Sequence, residues 1–135
     1  MNGNTQIIAR IMRIVSAVLL LAVGVIHLFL VFDGVGGLLG VLFVLNGIAG
    51  VVLAIAVAVL RARLLRVAVI LSLLFLIASF LSIVFALTVG LFGITETWSY
   101  TLVPETVVIE AVGIVVTALT TVLVFRGERA ARTAV

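Results

Sequence analysis

Hydrophobic positions along this chain neither alternate nor return to one face; they run on. Four stretches, about 11–32, 38–60, 64–92 and 107–125, are almost unbroken by charge. Crossing the hydrocarbon core of a bilayer takes about 20 apolar residues at about 1.5 Å each, so every stretch is long enough to span. The breaks are short: Asp-Gly-Val-Gly-Gly at 33–37, three residues at 61–63, and 93–106. The pattern predicts an all-α integral membrane protein, a single domain over 1–135 with four transmembrane helices. A cleaved signal peptide competes for the first stretch, because Arg10 and Arg13 precede it. Its length, and an exit without a small-residue cleavage pattern, argue against cleavage. The third stretch would be about 43 Å long as one helix. That exceeds a core of ~30 Å, so it tilts, and its last turns near 88–92 stand clear where Gly90 and Gly93 weaken the helix.

Composition agrees. Of 135 residues, 66% are apolar and 10% charged, with a mean hydropathy of +1.60; a soluble domain is nearer half and a quarter. No cysteine is present, which excludes thiolate metal sites and disulfides. The net charge of +3 rests on eight arginines. They are scattered in threes or fewer without aromatic interleaving, which excludes nucleic acid as the partner.

Those arginines set the orientation. Arg10 and Arg13 precede the first span, Arg61, Arg63 and Arg66 separate the second and third, and Arg126, Arg129 and Arg132 follow the fourth. The other two connections carry only Asp33, Glu96 and Glu105. By the positive-inside rule both termini are expected to be cytoplasmic and the bundle antiparallel; the expected location is a cell membrane, a prokaryotic plasma membrane. Trp98 and Tyr100 then sit at the outer headgroup level.

Arg10-Ile-Met-Arg13-Ile returns as Arg63-Leu-Leu-Arg66-Val, and Val59-Leu-Arg61 as Val124-Phe-Arg126. Either one helical hairpin was duplicated in parallel, or inward arginines beside aliphatic helices produce the match by topology alone. Small residues form stripes suited to helix packing. Gly36 and Gly40 stand in GxxxG spacing in the second span, followed by Gly47 and Gly50, and Gly113 stands in the fourth. The first span adds Ser16 and Gly24, the third Ser72, Ser79 and Ser82, and the fourth Thr106, Thr117 and Thr120.

Three strongly polar side chains fall inside the apolar slab: His27, Asn46 and Glu110. Counting helix rise from the outer ends puts all three about 9–12 Å deep, near one level. Intramembrane ionisable groups are costly and face a partner or a cavity. His27 and Glu110 are expected to face inward and hydrogen-bond, directly or through water, with Asn46 adjacent. Such a cluster is either a proton or cation site or a clamp that fixes helix packing.

The chain resembles a group of small four-helix membrane proteins of haloarchaeal and actinobacterial type. The likeness lies in His27-Leu28, the run Gly40-Val-Leu-Phe-Val-Leu-Asn46-Gly47, Thr88-Val-Gly90-Leu-Phe-Gly93, Pro104-Glu105 and Glu110. It implies the fold and brings no activity with it. The expectation is a small non-enzymatic multi-pass protein, a structural or accessory subunit or a homo-oligomer, with lipid and other membrane subunits as partners. Two alternatives stand: a minimal transporter or ion or proton pathway around His27, Asn46 and Glu110, and a haem- or quinone-associated redox subunit using His27. The sequence assigns no cofactor and no metal.

Overall fold

The computed structural model describes residues 3–133, without the side chains of 128 and 131–133. The side chain of Arg132, counted with the arginines after the fourth span, lies outside that description. Four helices make up the fold: α1 (Gly3–Phe32), α2 (Gly37–Val59), α3 (Ala62–Thr88) and α4 (Val103–Thr133). Each is long and apolar enough to cross a membrane, and the described residues form no sheet beyond one isolated bridge. The chain has the architecture of a multi-pass α-helical membrane protein.

Helix ends follow local chemistry rather than the hydrophobic run alone. α1 starts at Gly3, well before residue 11, because nothing in the polar segment 3–10 opposes a helix once the apolar part has nucleated one. α3 stops at Thr88, as its excess length requires, and Gly90 supplies the positive φ (+85°) past the Val89 cap. Leu91 and Ile94 then exchange two 2.8 Å backbone hydrogen bonds around Phe92 and Gly93. Both central residues have positive φ, 52° and 78°, the geometry of a type I′ turn. The amide of Glu96 donates to the Ala86 carbonyl at 2.9 Å, so the 89–102 connection folds back over the end of α3. Pro104 stands in the first turn of α4, where its missing N–H costs nothing.

Packed as a ring, α1 touches α2 and α4, and α3 touches α4 and, more thinly, α2. The tightest seam is glycine on glycine. A Cβ on Gly50 would lie 2.9 Å from the Gly24 Cα, and one on Gly24 would lie 2.8 Å from the Gly47 carbonyl oxygen. Backbones therefore meet with no side chain between them, the packing that dispersion favours in lipid. Gly113 accepts the Leu76 side chain, whose Cδ1 is 3.3 Å from where a Cβ would be. Two glycines expected in helix seams lie elsewhere. Gly36 is the exposed N-cap of α2 with open space around it, and Gly40 closes on the Val35 carbonyl of the 33–36 turn. GxxxG spacing this close to a helix start serves the turn.

Leu20, Val23, Val57, Val69 and Leu76 are fully buried and form the apolar core with Ala54, Leu65 and Ala68. The opposite faces are lipid-suited. On α2, Leu38, Val41, Leu45, Ile48, Val52, Ile55 and Val59 are each more than half exposed, spaced three and four apart along one line.

At the end where 60–61 joins α2 to α3, Arg13 folds back onto the last carbonyls of α2. Its Nε donates to Val57 O at 2.5 Å, and one terminal nitrogen donates to Ala58 O at 2.9 Å and Leu60 O at 2.6 Å. A helix leaves its final carbonyls without intrahelical donors, and a guanidinium both bonds them and complements the helix dipole. Arg66 stands over the Phe125 ring at 6.0 Å, within cation–π range.

Candidate functional site

α2, α3 and α4 are joined through one serine. Asn46 Nδ2 donates to Ser79 Oγ at 2.8 Å, and Ser79 Oγ donates to Glu110 Oε1 at 2.5 Å. The Glu110 carboxyl is fully buried. Each helix contributes by register: Asn46 precedes the Gly47 contact with α1 by one residue, and Glu110 lies three residues before Gly113. The structure thus brings together two of the three expected residues, through a serine that the sequence offered only as part of a packing stripe. Hydroxyls are common enough in membrane helices that spacing alone does not single Ser79 out.

His27 is in the same region with a different bond. Its Nδ1 lies 2.8 Å from Val23 O, one turn back on its own helix, and its ring stands edge-on to Phe43 with centroids 5.0 Å apart. No direct hydrogen bond joins His27 to Glu110 among the described residues. The local carbonyl wins because it lies within reach of the ring without any help from another helix. A carbonyl only accepts, so Nδ1 carries the hydrogen of this bond.

A cavity of about 240 Å³ opens at the end of the bundle covered by the 89–102 connection. Its wall is mostly apolar, from Leu39, Leu42, Phe43 and Ile83, and His27, Asn46 and Ser79 give it polar points. Thr106, Tyr100 and Glu96 lie nearer the connection. Glu110 is behind this lining, reached through Ser79. The cavity forms here because α2 and α3, joined tightly at the arginine end, are packed only thinly on each other. Glu96 is outside the spans, and partial burial raises its pKa above the ordinary glutamate value, with the Thr97 backbone bond pulling the other way.

Four buried polar atoms around this region have no protein hydrogen-bond partner: Asn46 Oδ1, Glu110 Oε2, Ser72 Oγ and Thr117 Oγ1. Nearer the arginine end, Ser16 Oγ and Thr120 Oγ1 share a hydrogen bond of 2.8 Å, and the Thr120 hydroxyl has the carbonyls of Val116 at 2.9 Å and Met12 at 3.1 Å as further acceptors for its one hydrogen. Among the described residues no group of three or more metal-ligating side chains comes together. The chain matches no protein-family model, no characterised protein and no solved structure, so its function is read from this geometry.

Proposed function

We propose that the protein is a small, non-enzymatic subunit of a prokaryotic plasma membrane, assembling with copies of itself or with other membrane subunits. In this reading its four helices run antiparallel, with both termini cytoplasmic and the cavity facing out. The observation that carries it is the Asn46–Ser79–Glu110 chain, which ties three helices together at one depth and acts as a clamp that holds and shapes the outer half. Each such interhelical bond contributes about 0.6 kcal/mol on average in a membrane. Two hairpins related by duplication fit the arginines. Arg13 bonds the carbonyl of Leu60 and Arg66 stands over Phe125, and Leu60 and Phe125 are the matching positions of the two repeats.

Native mass spectrometry from detergent tests the assembly. A multiple of the 14.2 kDa chain is expected, and a lone chain mass under all mild conditions contradicts self-assembly. The chain has no cysteine, so single cysteines report orientation cleanly. An impermeant maleimide on intact cells should label Thr97→Cys and spare Thr5→Cys; the reverse overturns the orientation. A second reading, a pathway for protons or small cations, is favoured by the unpartnered Glu110 Oε2. The redox alternative rests on His27 alone, and a purified protein that carries a visible absorbance band would support it.

A further inference from the structure

The buried face of α4 is polar along much of its length. Thr106, Glu110, Thr117 and Thr120 are at most 4% exposed. With Gly113 they recur every three or four residues, which places them on one line about 21 Å long. The facing helices carry hydroxyls in register. Ser79 bonds Glu110, Leu76 fills the space at Gly113, and the same register sets Ser72 opposite Thr117. Ser16 of α1 completes the line at Thr120.

Three members of this file have an unpartnered atom: Glu110 Oε2, Ser72 Oγ and Thr117 Oγ1, on residues with no exposure at all. A buried polar atom without a partner is expensive, and water is its usual remedy where there is room. Between the carboxyl and the Ser72–Thr117 pair stands one large apolar side chain, Leu76, fully buried and seated on Gly113.

We infer that this file is a proton path along the bundle, from the outer cavity through Glu110 to the Ser16–Thr120 end, closed in this structure by Leu76 as a dry gate. Hydrophobic constrictions close such paths by excluding water, and open when the side chain moves and water fills the gap. A hydronium in the cavity passes a proton to Ser79 Oγ as the Ser79 hydrogen moves to Glu110 Oε1. With the carboxyl starting protonated on Oε2, that hydrogen leaves to water beside Ser72 and Thr117 as Oε1 receives the one from Ser79, and the excess proton passes Thr120 and Ser16 to water at the arginine end of the bundle. No covalent bond other than O–H changes, and one proton leaves for each that arrives. Of the titratable groups at this end, His27 on α1 and Glu96 and Tyr100 on the connection line the cavity in front of Glu110, while Asp33 and Glu105 are exposed. α2 carries none, and the arginines of α3 lie at the far end. This inference rests on the second reading above, the proton pathway; the clamp is judged by stability and the path by flux.

The test reconstitutes the full chain into phosphatidylcholine–phosphatidylglycerol vesicles holding a pH-sensitive dye, with a potassium gradient and valinomycin driving protons. Leu76→Ala should raise proton flux several-fold over the native chain. Leu76→Val, which leaves the packing nearly intact, should raise it less and serves if the alanine variant does not fold. Adding Glu110→Gln, or Ser72→Ala with Thr117→Val, should return the flux to that of empty vesicles. The path is overturned if neither Leu76 variant exceeds the native chain, or if the raised flux survives either block.

Discussion

The two hairpins of this protein hold together by different physics. In α1–α2 the backbones meet directly, Gly24 against Gly47 and Gly50, with Arg13 bonding the end of α2. In α3–α4 the seam is made of side chains, Leu76 lodged at Gly113 and Ser79 bonded to Glu110. Their connections differ to match: 33–36 against the longer 89–102. A glycine seam is fixed by shape and tolerates nothing extra. A polar seam can exchange partners and admit water, and three of the four unpartnered polar atoms of this region, Ser72 Oγ, Glu110 Oε2 and Thr117 Oγ1, lie along α3 and α4.

If shape holds the first hairpin, adding volume there should do the most damage. Gly50→Val drives methyl groups into the Gly24 backbone, and should destabilise the bundle by about 3 kcal/mol, read as a large fall in Tm in detergent. The same change at exposed Gly36 should do almost nothing. A weaker effect is expected at Arg13. Arg13→Ala removes the donors from three carbonyls at the end of α2 and should cost about 1 kcal/mol; Arg13→Lys should recover only part, because an ammonium lacks the planar fork. Thermal melts of the three chains check the order.

The smallest effect lies in the connection over the cavity. Folding raises the Glu96 pKa above about 4.5, so the folded chain holds that proton more tightly than the unfolded one. Its contribution is present below the ordinary value and is lost as pH rises through the raised one. Hydrogen exchange at the Glu96 amide, bonded to Ala86 O, should quicken over that window beyond the intrinsic rate, and Glu96→Gln should remove the excess.

Much of this was legible in the sequence, and the rest failed for identifiable reasons. Helix existence follows from run length and charge placement; the third span reads as 64–92 with weakened last turns, and the helix itself stops at Thr88, before both glycines. The extensions of α1 to Gly3 and of α4 to Thr133 were not visible, because a helix continues past the membrane where hydropathy falls. Depth counting placed Asn46 and Glu110 near one level, where they meet through Ser79. It does not choose between bonding partners: a direct His27–Glu110 bond is not made, and His27 Nδ1 takes the Val23 carbonyl one turn back on α1 instead. Spacing likewise marked Gly36 as a packing glycine, when its place before α2 makes it a cap.

The central claim is that Ser79 and Glu110 bond inside the bundle. A double-mutant cycle with Ser79→Ala and Glu110→Leu, followed by unfolding in mixed micelles, measures that bond alone. The expected coupling is about 0.6 kcal/mol and at most about 1.7, with the double variant less destabilised than the two single losses added. Strict additivity would show that the two side chains do not meet, and the clamp would fail with it.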